Sequence, residues 1–226
     1  MEYSKEIRLF YDSCSEHYDQ MLEKVRYKVP TWLAKKWEGQ VDEVCSVLDL
    51  ACGNGNIGIL LRSLGCQGEL TGIDLSPNMV AQCIKSGIYK QVIEGDLKHG
   101  CWQTLPSASY DLILAFGVME FLEDIERILK DIALALSANG TAWISFETGD
   151  TDSDTPEELL KLYGFPVYHR TKDELNDLVA NSGLVIDKHY QIKEAYYRSY
   201  TGKHVPWEVL VLRHLPDELY VTKEAS

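Results

Sequence analysis

A continuous apolar run, EVCSVLDLA at 43–51, leads directly into three glycines spaced G-x-G-x-x-G: Gly53, Gly55 and Gly58. An uninterrupted apolar stretch suits a strand covered on both faces. The glycine spacing is the one with which α/β folds turn from strand to helix around a dinucleotide. Glycines also serve such turns in proteins that bind no nucleotide, so the loop alone does not decide function. Asp49 adds a constraint, because a dinucleotide fold usually has only apolar strand there.

The rest of the chain repeats the strand–helix pattern. ELTGID (69–74), QVIEGD (91–96), YDLILAFG (110–117) and TAWISFE (141–147) read as further strands. Between them, a helix runs from about Asn56 to Leu64. Another starts at Ser76-Pro77, a capping hydroxyl followed by proline at the first helical position, and ends near Gly87. A third is marked by Phe121, Leu122, Ile125, Ile128, Leu129, Ile132 and Leu136 and closed by Asn139-Gly140. A capping box, T-K-D-E, opens a helix over Thr171–Ser182. LVIDKHYQI and VPWEVLVLRH are joined by too short a link for a parallel crossover, so they pair antiparallel. The expected fold is α/β: a doubly wound, mostly parallel, seven-stranded Rossmann-like sheet with a C-terminal antiparallel hairpin. Ahead of it, residues 5–25 read as one amphipathic helix on Ile7, Tyr11, Cys14, Tyr18, Met21 and Val25. TWLAKKW, after Pro30, reads as a short helix capped by Thr31 or the residue before it. One domain over 1–226 is expected, with an N-terminal helical cap (1–40), a core (41–215) and a tail (216–226).

A formal charge of −13 argues against a partner with a phosphate backbone. Six cysteines without a C-x-x-C pair argue against zinc or thioredoxin-like chemistry and suit buried thiols in a reducing compartment. No stretch reaches the roughly 18 apolar residues of a membrane span, and MEYSKEIRLFYDS does not read as a signal peptide. The expectation is a cytoplasmic protein with no nucleic acid, membrane or metal among its partners.

Three acids fall at strand ends. Asp74 follows Gly55 by 19 residues, and Asp96 follows Asp74 by 22. A carboxylate at the first position can accept from a ribose diol, and one at the second from an adenine amino group. Asp49 would repel a pyrophosphate but attract an ammonium group. Ribose, adenine and a free amino acid together describe S-adenosylmethionine.

Asp49, Ala51, Gly53 and Gly55 match the D/E-x-G-x-G-x-G motif of class I S-adenosylmethionine-dependent methyltransferases, with Ala51 replacing its first glycine. GIDLSPNMV, EGDL and YDLILAFGVMEFLED resemble the motifs that follow in that superfamily, and the resemblance covers about residues 40–215. It implies that Cys52, Gly53 and Gly55 pass close to the methionine part, with the helix start at Asn56 facing its carboxylate. It implies further that Asp74 holds the ribose, Leu75 and Met79 pack on the adenine, and Asp96 and Leu97 read its edge. Phe116 and Gly117 would border the sulfonium. FYDSCSEHYDQML resembles the opening of the small-molecule branch, in which a tyrosine closes over the cofactor; Tyr18, and less directly Tyr11, match.

Methyl transfer needs positioning and exclusion of water more than a fixed catalytic dyad. Many relatives carry a histidine where GVMEFLED has Phe121, so no catalytic residue is assigned. Glu120 and His169 remain candidate bases, and Tyr190, Tyr196, Tyr197 and Tyr200 candidate pocket aromatics. The reading is a methyltransferase acting on a small-molecule acceptor. A protein methyltransferase and a non-catalytic cofactor-binding module are the alternatives, followed by an NAD-dependent oxidoreductase, which Asp49 and the terminal hairpin disfavour.

Overall fold

The computed structural model describes residues 3–99, 105–148 and 155–215, so the expected tail at 216–226 and Cys101 lie outside the described residues. Seven strands form one sheet: β1 (Ser46–Leu50), β2 (Glu69–Asp74), β3 (Gln91–Glu94), β4 (Tyr110–Ala115), β5 (Leu136–Glu147), β6 (Leu184–Arg198) and β7 (Lys203–His214). Their order is β3-β2-β1-β4-β5-β7-β6. The first five run parallel, and β7 inserts antiparallel between β5 and β6.

Alternation along the strands explains the apolar runs. Leu48, Ile113, Ala115 and Leu210 point into one core with α6 (Ile125–Ala135) and α8 (Lys172–Ala180). Val47, Leu112, Leu114 and Val209 point to the other face, against Leu33 and Trp37 of α3 (Val29–Trp37) and Leu61 of α4 (Asn56–Ser63). Both faces are therefore buried, as a parallel sheet requires.

Four local expectations change. Residues 5–25 do not form one helix: α1 (Ser4–Cys14) and α2 (Tyr18–Lys24) are separated by a 3-10 turn at Ser15–His17. That break lets the segment fold over the sheet edge while keeping Tyr11 and Tyr18 on the same side. Helix α3 begins at Val29 with Lys28 as its N-cap and no side-chain cap, so Thr31 is inside the helix. Helix α6 stops at Ala135, and Asn139-Gly140 belongs to β5. There the β4–β5 register shifts, and a Cβ on Gly140 would stand 2.7 Å from the carbonyl oxygen of Tyr110. This glycine permits strand approach and does not end a helix. Finally, α7 (Pro156–Tyr163) is a helix beyond those expected, opened by a Thr155–Glu158 capping box. Helix α5 (Pro77–Lys85) and α8 start on Ser76 and Thr171, as their caps indicate.

Candidate functional site

The carboxyl ends of β1, β2 and β4 open onto a cavity of about 290 Å3. This is the edge at which open α/β sheets bind ligands. Ala51 and Gly53 line it from the β1 loop, Asp74 and Leu75 from the end of β2, Asp96 and Leu97 from beyond β3, and Phe116 and Gly117 from the end of β4. Tyr18 of α2 closes it from the cap, with Tyr11 beside it at a ring separation of 6.3 Å.

Five expected site residues stand back from the cavity wall. Cys52 is buried beneath the loop, Gly55 is the left-handed N-cap of α4, and Met79 is 1% exposed inside α5 packing. Asn56 uses its side-chain amide to donate to Asp19 Oδ1 at 2.8 Å, as Asn54 also does. Asp49 is 3% exposed, and its Oδ2 accepts from the Tyr89 hydroxyl at 2.5 Å. Tyr89 also accepts from the Gly58 N–H at 3.1 Å. A Cβ on Gly58 would lie 2.5 Å from that hydroxyl oxygen, so the third glycine of the motif makes room for Tyr89. Asp49 therefore turns its Oδ2 to Tyr89 and stands behind the cavity wall. Its charge problem is met within the protein, and burial pushes its carboxyl up to about 7 against the lowering effect of Tyr89.

Asp74 is held differently. Its Oδ2 accepts from Gly53 N–H at 2.8 Å and its Oδ1 from Ser76 N–H at 2.9 Å. Burial raises it to about 6 in spite of both bonds. A carboxylate offers about four acceptor directions, so capacity remains for a diol at the cavity wall. Asp96 Oδ1 accepts from Lys98 N–H at 2.8 Å and keeps capacity in the same way. Two acceptor carboxylates flanked by Leu75 and Leu97 fit the hydroxyl and amino donors and the flat apolar ring of an adenosine group.

The far end of the cavity has a second polar cluster that sequence spacing does not reveal, because its members are distant in the chain. Glu147, at the end of β5, binds Arg198 Nη2 at 2.6 Å and His169 Nε2 at 2.8 Å through Oε1. Its Oε2 accepts from the Tyr196 hydroxyl at 2.7 Å. Burial alone would raise this carboxyl, but His169, Arg198 and Tyr196 prevail and hold it below the usual range. His169 thus supports Glu147 from behind and does not line the cavity. Tyr196 lines it, as the aromatic cluster suggested, whereas Tyr190 stacks on Trp143, Tyr197 lies against His204 and Tyr200 is half exposed. Glu120 also lines the cavity and is 4% exposed.

Among the described residues no cluster of three or more His, Cys, Asp or Glu side chains could hold a metal, and no helix is long and apolar enough to cross a membrane.

The protein-family model for a methyltransferase domain matches residues 47–140. The trans-aconitate 2-methyltransferase of Klebsiella pneumoniae (strain 342) is 34% identical over 99 residues, 44% of this chain and 38% of that protein. The chain thus spans about two fifths of that relative. The demethylmenaquinone methyltransferase of Bacillus pumilus (strain SAFR-032) is 28% identical over 185 residues, 75% of this chain and 73% of that protein. Among solved structures, an S-adenosylmethionine-dependent methyltransferase from Mesorhizobium loti superposes with a TM-score of 0.63 at 20% identity, covering 80% of this chain and 96% of that one. The Burkholderia thailandensis 1,6-didemethyltoxoflavin-N1-methyltransferase, solved with 1,6-didemethyltoxoflavin and S-adenosylhomocysteine, gives 0.69 at 14% identity, over 95% and 89%. The domain match covers the strands that carry the glycine loop and the strand-end acids, and the shared seven-stranded fold extends over most of the remainder. Residues 47–140 thus match a methyltransferase domain, and the chain has the fold of S-adenosylmethionine-dependent methyltransferases.

Proposed function

We propose that this chain transfers a methyl group from S-adenosylmethionine to a small-molecule acceptor, with residues 1–40 as the cap and 41–215 as the catalytic core. The observation that carries this reading is one cavity with two differently equipped ends. Asp74 and Asp96 line one end, and Glu120 with the Glu147–Arg198 pair lines the other. When bound, the cofactor supplies a methyl group already activated by sulfonium. The protein's own work is to orient and to keep water out. Asp74 holds the ribose hydroxyls, Leu75 and Leu97 grip the adenine, and Asp96 accepts from its amino group. Phe116 and Gly117 border the reacting centre. Tyr11 and Tyr18 shut the cavity from the cap side. Burial raises both tyrosine hydroxyls well above their ordinary range, so they remain neutral donors.

A small acceptor is supported by the cap over the cavity, and the net charge of −13 speaks against a nucleic-acid acceptor. Free thiols at Cys14, Cys45, Cys52, Cys66 and Cys83 fit a reducing, cytoplasmic setting. Calorimetry with S-adenosylhomocysteine and with NAD tests the cofactor assignment: binding of the first and not the second is expected, and the reverse preference overturns it. Formation of S-adenosylhomocysteine over a metabolite panel separates an enzyme from a binding module.

A further inference from the structure

Glu120 sits in the 3-10 turn Met119–Phe121, four residues past β4, and its side chain enters the cavity. Its Oε2 is buried without a hydrogen-bond partner. Leaving such an atom unpaired costs about 1–3 kcal/mol, so a residue kept there points to a ligand that completes it. The turn is also fixed from outside. Arg170 donates through Nη1 to the Met119 carbonyl at 3.0 Å and through Nη2 to the carbonyls of Leu122 and Glu123, the latter at 3.0 Å. Tyr168 N–H donates to the Glu120 carbonyl at 2.7 Å. A clamp from the segment before α8 thereby aims one carboxyl at the cavity.

The surroundings of that carboxyl specify what it meets. Tyr11 of α1, Tyr18 of α2 and Tyr27 before α3 face it from the cap; Glu147 of β5, Arg170 and Arg198 of β6 face it from the core. The Arg198 guanidinium is already committed to Glu147, so it does not offer an acceptor anion an uncompensated charge. The walls between are aromatic: Phe121 meets Phe165 edge-on at 5.6 Å, and Tyr163 stacks on Phe165 at 5.7 Å.

We propose that Glu120 receives the acceptor's proton, and that the acceptor is a small, flat, uncharged molecule presenting one hydroxyl or ring N–H to this carboxylate. The inference rests on the methyl-transfer reading and names its acceptor. As a lone pair of the acceptor oxygen or nitrogen forms the new bond to the methyl carbon, the C–S bonding pair stays on sulfur. The acceptor's proton passes to Glu120 and from there to water. A base is most effective with a pKa near the working pH. Burial, then the charge of Glu147, pushes the Glu120 carboxyl up to about 8, against its own backbone N–H, Arg170 and Arg198.

The test uses the full chain, with 2-naphthol as the neutral probe and 3-hydroxy-2-naphthoate as the same scaffold carrying a carboxylate. Wild type is expected to methylate 2-naphthol with a kcat/KM at least ~10-fold above that for the carboxylated probe, a difference of about 1.4 kcal/mol. That rate should rise with pH through about 8. Glu120→Gln keeps the shape and should lower kcat by at least ~100-fold, within the range for a general base. Its affinity for S-adenosylhomocysteine, read by calorimetry, should stay that of wild type. Infrared difference spectra between about pH 7.5 and 9, above the range in which Asp49 and Asp74 titrate, should show loss of a protonated carboxyl band in wild type that is missing from Glu120→Gln. Retained activity in Glu120→Gln, or a flat pH profile, overturns the proton role. Preference for 3-hydroxy-2-naphthoate, or no turnover of 2-naphthol by protein that binds S-adenosylhomocysteine, overturns the acceptor class. Wild type that fails to bind S-adenosylhomocysteine overturns the methyl-transfer reading itself, and this inference with it.

Discussion

Asp74 joins two tasks in one side chain. It ties the glycine loop to β2 through Gly53 N–H and starts the turn into α5 through Ser76 N–H, and it offers its remaining lone pairs to the cavity. Asp74→Ala should therefore weaken S-adenosylhomocysteine binding by at least ~10-fold, because hydrogen bonds to a charged acceptor contribute about 1.5–3 kcal/mol each. It should also lower stability by about 1–3 kcal/mol, the cost of two orphaned backbone donors. Asp74→Asn should fall between wild type and alanine. Calorimetry and melting curves on the same two variants check both effects, and a loss of stability without loss of affinity would remove the ribose role. Tyr89→Phe makes a purely structural counterpart. It strips the hydroxyl from Asp49 Oδ2 and from Gly58 N–H, so stability should drop by about 1–3 kcal/mol in urea unfolding. Asp74 was legible in the sequence because a strand-end acid before a Ser-Pro helix start is a local pattern. Its structural partners were not, since a carboxylate's backbone donors depend on how the loop folds back. The partner of Asp49 was hidden for the same reason: it lies 40 residues away on a tyrosine that no motif marks.

The cap helices are joined to the core by hydrogen bonds as well as by packing. Asp12 Oδ1 accepts from Ser76 Oγ at 2.5 Å and from Asn78 N–H at 3.3 Å, at the start of α5. Asp19 accepts from Asn54 and Asn56 at the start of α4. The cap thus rests on the two helix starts that flank the cavity, and Tyr11 and Tyr18 each directly precede one of these anchors. Asp19→Ala should loosen the lid without touching either core. The expected result is a several-fold loss of S-adenosylhomocysteine affinity, with thermal stability lower by no more than about 1 kcal/mol, since Asp19 is exposed. An unchanged affinity would mean that the cap is packing alone. At this scale the sequence disclosed the order and kind of the elements, because apolar runs and caps are local signals. It did not disclose where the cap helix breaks: Ile7 to Val25 keeps helical spacing straight across the 3-10 turn. Nor did it disclose the end of α6, where Asn139-Gly140 looks like a helix stop but serves the close approach of β5 to β4.

Across the whole molecule, three buried acids bias stability toward low pH. Asp49, Asp74 and Glu120 are raised to about 7, 6 and 8, in each case chiefly by burial. A carboxyl whose folded value is raised holds a proton that the unfolded chain has already released. Stability therefore falls as pH climbs from the unfolded value near 4 to the folded value, and levels off above it. Each such group alone gives a slope of about 1.4 kcal/mol per pH unit within its window. Glu147 works the other way. Its lowered carboxyl contributes stability that is present above its unfolded value and lost as pH falls through the folded one, so the ligand-free protein should be most stable in the weakly acidic range. Between pH 5 and 8 its melting temperature should decline. Glu120→Gln removes one titrating group and keeps its volume, so the variant should gain on wild type by on the order of 1 kcal/mol per pH unit over the window from 4.5 to about 8. The two curves should run parallel above that. Melting curves of the ligand-free proteins at half-unit pH steps, at fixed ionic strength, read this directly. Parallel curves through the whole range would show that Glu120 titrates as an ordinary carboxyl, and that its place in the cavity leaves it hydrated.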